Sequence, residues 1–138
     1  KPSILGYPVR AIRTDEWLLI VNLEPDRWPA GVPADATHRI GRFADCDNGP
    51  TKSVIMKMNT DPVNKKFYDL CFAKRGAVEL YDCEKDPDQT HNLADDPKHS
   101  ESIKRLRSQL VDYLKATGDP RFTDKPVTFE EYPYRGRL

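Results

Sequence analysis

The feature that most constrains the fold is a stripe of apolar residues near the C-terminal end of the chain. Its members recur at three- and four-residue steps: Ile103, Leu106, Leu110 and Leu114. Residues with this spacing share one face of an α-helix. Asp96 and Pro97 form a helix start signal, and Gly118 forms a stop signal. The sequence therefore predicts a helix over 97–116 whose apolar face is buried against another layer.

A small sheet is the predicted second layer. Two segments, 7–13 and 17–22, have the composition of strands, and the short polar break between them suits a hairpin loop. The second segment begins with a continuous apolar run, so it should be central in the sheet or buried on both faces. A third strand is predicted over 78–82. Strands and helices without regular alternation predict an α+β fold, with a small antiparallel sheet packed against the C-terminal helix.

The segment 23–50 has little periodicity and is rich in proline and glycine. A connection this long in a compact domain is usually functional or disordered. It contains Trp28 and Phe43, two large apolar side chains that gain free energy by burial. We therefore expect an ordered loop that packs on other residues.

Three polar residues at the end of this loop are candidates for contact with a substrate: Asp47, Asn48 and Lys52. They gather acidic, amide and basic groups around a turn, and such groups orient polar ligands in loops. The alternative interpretation is a solvated turn that these side chains only stabilise.

Two shorter helices are predicted after the loop. The first covers 51–58 and should bury one face formed by Val54, Ile55 and Met58. The second opens at Asp61 and Pro62, a cap followed by proline at the first helical position, and runs to about Ala73. Its predicted inner face carries Phe67, Leu70 and Cys71.

Charge and hydropathy narrow the possible partners. The chain has 22 basic and 22 acidic residues, so its formal net charge is zero. This removes the main electrostatic argument for nucleic acid or an anionic membrane as a partner. No apolar stretch in the sequence has the length needed to span a bilayer. We predict neither a nucleic-acid partner nor a membrane partner.

Residues that could perform catalysis are scattered. The histidines lie in separate polar segments, and no zinc-protease, nucleophile-elbow or phosphate-loop motif occurs. Cys46, Cys71 and Cys83 are odd in number and loosely spaced, which argues against a disulfide framework or a zinc site. The sequence predicts no catalytic residue and no metal ligand in this chain.

A polar turn is predicted at Asp86. Asp86, Pro87 and Gln89 fit a capping box that opens a short helical turn. Asp86, Asp88 and Thr90 also resemble the start of a calcium loop, but the glycine and glutamate of such a loop are missing. A turn with a helix cap is the favoured interpretation.

The most specific motif of the sequence runs from Glu79 to Ala94. It reads Glu79-Leu80-Tyr81-Asp82, then Asp86-Pro87-x-Gln89, then Asn92-Leu93-Ala94. This order and spacing resembles the C-terminal region of sulfatases. The strand pair at 10–14 and 17–20 is similar to the same region. The segments 26–29 and 47–52 look like the heparan N-sulfatase (sulfamidase) branch, particularly its bacterial members.

The resemblance implies that this chain is the non-catalytic C-terminal portion of a sulfuric ester or sulfamate hydrolase acting on sulfated sugars. In that family a large N-terminal domain, alkaline-phosphatase-like in fold, carries calcium and a formylglycine made from Cys or Ser. The smaller C-terminal domain closes one side of the active-site cleft. The implied partners are therefore the N-terminal domain and a sulfated sugar, and the implied location is periplasmic or secreted.

Cys71-Phe72-Ala73-Lys74-Arg75 superficially resembles the site at which the family forms its formylglycine. Glu79-Leu80-Tyr81 stands where the family has Leu-Thr-Gly downstream of that site. Cys71 is also expected to be buried on the inner face of a helix, which argues against its modification. We therefore do not assign Cys71 as the modified residue.

Domain boundaries and rival functions complete the expectations. We predict one sulfatase C-terminal subdomain over 1–121 and an extended tail over 122–138. The chain opens without Met or a signal peptide, as expected for the middle of a longer polypeptide. The alternative function is a free-standing module that binds an anionic glycan or a protein. A small enzyme with its own Cys or His chemistry is a second rival, disfavoured by the scattered histidines.

Overall fold

A computed structural model describes residues 6–33, 42–125 and 127. These residues form two compact units. One, the sheet unit, consists of the described residues of 8–23 and 76–127. The other, the loop unit, consists of those of 6–7 and 24–75. The predicted boundary between 121 and 122 stays a prediction, because most of the tail lies outside the described residues.

Strands and helices follow the predicted order along the chain. The elements are β1 (Val9–Arg13), β2 (Trp17–Asn22), α1 (Pro50–Lys57), α2 (Lys65–Phe72), β3 (Val78–Asp82) and α3 (Ser100–Ala116). Two 3-10 helices, Met58–Thr60 and Pro97–His99, directly follow α1 and precede α3. No helix of the described part is long and apolar enough to cross a membrane.

The sheet is antiparallel, with the strand order β1-β2-β3. Ala11 pairs with Ile20 across the first ladder, and Leu19 pairs with Leu80 across the second. The apolar strand β2 is thus the central strand, as its composition predicts. The α+β architecture predicted from the sequence is confirmed.

Helix α3 buries its apolar stripe in the core of the sheet unit. The buried members of this core are Trp17, Leu19, Val21, Leu80, Leu106, Leu110 and Leu114. Burying a leucine side chain stabilises a fold by about 1.5–3 kcal/mol. The stripe predicted from the sequence is therefore confirmed as the main helix contribution to this core.

Both ends of this helical segment are capped as predicted. The Asp96 carboxylate accepts from the backbone N–H of Lys98 at 3.0 Å. At the other end Gly118 has φ of +75°, and its N–H and that of Asp119 reach the carbonyls of Lys115 and Leu114. This is a Schellman arrangement, which glycine accommodates without the strain of a Cβ atom.

The loop unit has an aromatic core around Phe43, which is fully buried. Phe72 stacks on it at a centroid distance of 4.6 Å, and Trp28 and Tyr68 meet it edge-on at 6.0 and 6.2 Å. Helix α2 therefore faces the core with Tyr68 and Phe72. The prediction of an ordered loop that packs through Phe43 and Trp28 is confirmed for its described parts.

The predicted inner faces of the two shorter helices are partly wrong. Phe67 is 44% exposed, Cys71 is exposed and Val54 is 53% exposed. Tyr68 and Phe72 are also spaced as helix neighbours, and the distant Phe43 selects their face of α2. Helix α2 begins at Lys65, later than predicted, because the Asp61 side chain first holds a turn by accepting from the N–H groups of Val63 and Asn64.

Candidate functional site

Two segments of the long loop lie side by side in the loop unit. The N–H of Phe43 donates to the carbonyl of Val32 at 2.8 Å, and the N–H of Asp45 donates to the carbonyl of Ala30 at 3.3 Å. Gly31, with φ of +87°, lies so close that a Cβ atom there would come within 3.0 Å of the backbone N of Ala44. The close approach explains the glycine, and it gives the loop a defined shape.

Lys52 ties this loop to helix α1. Its ammonium donates to the carbonyls of Phe43 at 2.9 Å and Cys46 at 2.7 Å, and to Oδ1 of Asn48 at 3.1 Å. An ammonium group has three donors, so all of them are satisfied by the loop. Lys52 thus holds the segment 43–48 in place, and we call this segment the clipped loop.

The structure brings two of the three candidate residues into contact. Asn48 is bonded to Lys52, whereas Asp47 is exposed beside it and makes no recorded bond to Lys52 within the described residues. Lys52 reaches an external anion only by giving up one of its loop bonds. Asp47 and Asn48 are therefore the two candidates whose side chains are exposed to solvent.

The turn at Asp86 is built differently from the predicted capping box. Its Oδ1 accepts from the N–H and hydroxyl of Thr90, and its Oδ2 accepts from the N–H of His91. These bonds hold the pKa of the Asp86 carboxyl below its usual value, the His91 N–H being the largest cause. Gln89 has φ of +54°, and no helical turn forms over 87–94. The capping-box prediction is wrong, because a loop held by Asp86 forms instead.

Asn92 has a role that sequence reasoning missed. Its Oδ1 accepts from the N–H of Leu80 at 2.9 Å, and the N–H of Leu93 donates to the carbonyl of Leu80 at 2.8 Å. These bonds satisfy the side of β3 that faces away from β2. The Asn-Leu part of the motif therefore covers a sheet edge that would otherwise expose unpaired backbone groups.

A buried polar cluster on β3 was also missed. Glu79 is 6% exposed, and its carboxylate accepts from Nδ2 of Asn22 at 2.7 Å and from the Tyr81 hydroxyl at 2.6 Å. Alternation places Glu79 and Tyr81 on the sheet face opposite Leu80. A carboxylate in a strand of buried residues requires such partners. The acidic residue in this strand was therefore the signal in the sequence that could have revealed the cluster. The Glu-x-Tyr part of the motif has a structural function in the sheet unit.

In the described part of the chain, the cysteines form no disulfide and the metal-ligating residues are not clustered. Cys46, Cys71 and Cys83 are free thiols. No group of three His, Cys, Asp or Glu side chains among the described residues could hold a metal ion. These residues therefore do not fit a calcium site, and Cys71, although exposed, stands apart from any such group.

Comparison with known proteins finds similarity to one class of enzyme. Over most of its length, the chain is similar in sequence to sulfatases. This similarity accompanies the fold, the clipped loop and the motif at 79–94. The chain is thus similar to sulfatases, which confirms the resemblance seen in the motifs. No protein-family model matches it.

Two particular relatives carry this result. The chain is 29% identical to the N-sulphoglucosamine sulphohydrolase of Homo sapiens over 118 residues, which are 84% of this chain and 21% of the human protein. It is 27% identical to the ulvan-active sulfatase of Formosa agariphila over 112 residues, 80% of this chain and 17% of that protein. The chain thus spans about a fifth of the length of these curated relatives.

Proposed function

We propose that this chain is the C-terminal, non-catalytic portion of a sulfatase that acts on sulfated sugars. One observation carries the proposal: two sulfatases match at least 80% of this chain, yet the match spans only about a fifth of either relative. The names of both relatives connect them with sulfated substrates. A portion of this size is suited to complete a site whose reactive groups lie elsewhere.

The proposed partner is an alkaline-phosphatase-like N-terminal domain that carries calcium and a formylglycine. The described residues of this chain offer neither a metal-ligand group nor a thiol placed beside one. In this proposal the chemistry of sulfate cleavage belongs to the partner domain. This chain contributes binding, orientation and exclusion of water.

The clipped loop is the part of this chain proposed to close one side of the cleft. Lys52 fixes the backbone of 43–48 through three hydrogen bonds. Asp47 and Asn48 are exposed at the end of that loop and can bond to sugar hydroxyl groups. Fixing such groups before the ligand arrives lowers the entropy cost of binding.

The test is release of inorganic sulfate by the complete protein encoded with this chain. Purified protein is incubated with an N-sulfated glucosamine oligosaccharide, an O-sulfated one and an aryl sulfate, and free sulfate is measured by ion chromatography. We expect sulfate from at least one sugar and from the aryl ester. Absence of sulfate release with all three substrates, from folded and calcium-loaded protein, would contradict the proposal. Tight sugar binding by this chain alone would favour a free-standing binding module.

A further inference from the structure

Trp28 and Lys74 form an aromatic and cationic pair in the loop unit. The Lys74 ammonium lies over the Trp28 ring, 5.5 Å from its centroid. Trp28 is half-buried, whereas Lys74 is exposed. Among the described residues, Lys74 forms no ion pair. The Trp28 indole and the Lys74 ammonium thus lie next to each other, as an aromatic group and a cation that one ligand could contact.

The Trp28 ring is held in place by its contact with Phe43 and by the backbone beside it. Its ring meets Phe43 edge-on at 6.0 Å, and Phe43 is fully buried against Phe72. The backbone beside it is held by the bond from Asp45 to Ala30 and by the close approach at Gly31. A rigid aromatic side chain can bind a ligand at a low cost in conformational entropy.

The surrounding segment is basic, although the whole chain is neutral. Residues 50–75 include six basic and two acidic side chains, a net charge of +4. Both acidic groups are engaged, Asp61 by the turn that follows it and Asp69 by Lys65. The net positive charge of this segment favours an anionic ligand.

We propose that Trp28 and Lys74 form a subsite for one anionic sugar ring of a longer glycan. The apolar face of a pyranose ring contacts the exposed part of the indole, and the Lys74 ammonium beside it pairs with a sulfate or carboxylate group on the same sugar ring. A ligand at this subsite combines ring contact with charge pairing, as polar-ligand sites commonly do. The subsite rests on the proposed function, because it assumes a sulfated glycan as substrate, and it determines specificity without taking part in catalysis.

The test measures binding of a heparin-derived tetrasaccharide to the complete protein by isothermal titration calorimetry at low salt. Lys74→Gln should weaken binding roughly three- to tenfold, the size expected when a partly exposed charged contact is lost. Lys74→Arg should restore most of it. The control, Lys57→Gln, removes an exposed lysine of the same unit and should have little effect. Trp28→Phe should weaken binding while keeping the contact with Phe43.

The possible results distinguish the subsite from general attraction between charges and from the proposed function. Equal losses in Lys74→Gln and Lys57→Gln indicate general attraction between charges and overturn the subsite. An unchanged affinity in Lys74→Gln, or no binding by the unaltered protein, also overturns it. Hydrolysis of an aryl sulfate is measured in parallel and should not change in any variant. If neither the unaltered protein nor any variant releases sulfate, the proposed function fails. A selective loss of tetrasaccharide binding in Lys74→Gln would still support the subsite in that case.

Discussion

Single polar side chains link distant segments of the sheet unit. Asn92 accepts from the N–H of Leu80, a fully buried residue in the core. Asp119 accepts from the Arg10 side chain at 2.6 Å and joins β1 to the end of α3. Because each contact links segments distant in sequence, each one stabilises the tertiary structure and not only a local turn.

Replacing Asn92 with Ala should destabilise the fold by about 1–2 kcal/mol, since the buried Leu80 N–H loses its acceptor. Urea denaturation followed by circular dichroism measures the change. Asn59→Ala, at an exposed position in the 3-10 helix Met58–Thr60, is the matched control. Equal midpoints for the two variants would show that the Asn92 bond contributes no stability.

Acid should remove the contribution of Asp119. The hydrogen bond from Arg10, with lesser help from the Arg121 N–H, holds the pKa of the Asp119 carboxyl below its usual value. A carboxyl with a lowered folded pKa stabilises the protein fully above its unfolded pKa of about 3.9 and loses that contribution as the pH falls through the folded pKa.

We therefore expect Asp119→Asn to be less stable than the unaltered protein at pH 6, with the difference shrinking below about pH 4. Urea midpoints measured from pH 2 to pH 6 test this, with the exposed Asp95→Asn as the control. A difference that stays constant over this range would show that ionisation of Asp119 is not the cause.

At the scale of whole elements, helix α3 contributes three of the seven described side chains that are buried in the core of the sheet unit. Leu106 and Leu110 are 0% and 4% exposed, and they pack on the core with Leu19 and Leu80. Its capped ends position this stripe against the sheet. Loss of one buried side chain from this stripe should therefore have a large effect.

Leu110→Ala should lower the free energy of unfolding by about 2–5 kcal/mol, because it removes buried apolar surface and leaves a cavity. Tyr113→Ala is the control on the same helix, since Tyr113 is 68% exposed. Chemical denaturation of both variants gives the comparison. If Leu110→Ala and Tyr113→Ala unfold at the same midpoint, the assigned buried face is wrong.

The clipped loop is the second element with a testable role. In the complete protein, Lys52→Ala should lower kcat/KM for a sulfated sugar by about tenfold, since the loop loses the clip that positions Asp47 and Asn48. Hydrolysis of a small aryl sulfate should change little. Lys57→Ala serves as the control. Equal losses for both substrates, together with a lower Tm, would support a purely structural role for Lys52.

Local patterns in the sequence were sufficient for some elements and not for others. Strand β2 and helix α3 were predicted because their apolar spacing is a local property. The buried face of α2 was not, because the distant Phe43 determines which residues are covered. Asn92 was recognised only as part of a motif, since its function depends on the position of β3 in the sheet. The candidate loop was located, but the engagement of all three Lys52 donors by that loop required coordinates.

At the scale of the whole molecule, the described residues form two units, and the proposed binding residues lie in one of them. The sheet unit contains the motif at 79–94, whose polar residues complete a sheet. The loop unit contains the exposed polar groups and the Trp28–Lys74 pair. Similarity to two sulfatases over about a fifth of their length is consistent with a portion that serves a larger enzyme.

Aryl sulfate turnover by this chain alone, compared with the complete protein, tests the central claim most directly. The account predicts turnover by the complete protein. It predicts none by the purified 138-residue chain with calcium present, and the same result for its Cys71→Ser variant. Sulfate release by the isolated chain above the level of the Cys71→Ser variant would contradict the assignment of this chain as non-catalytic.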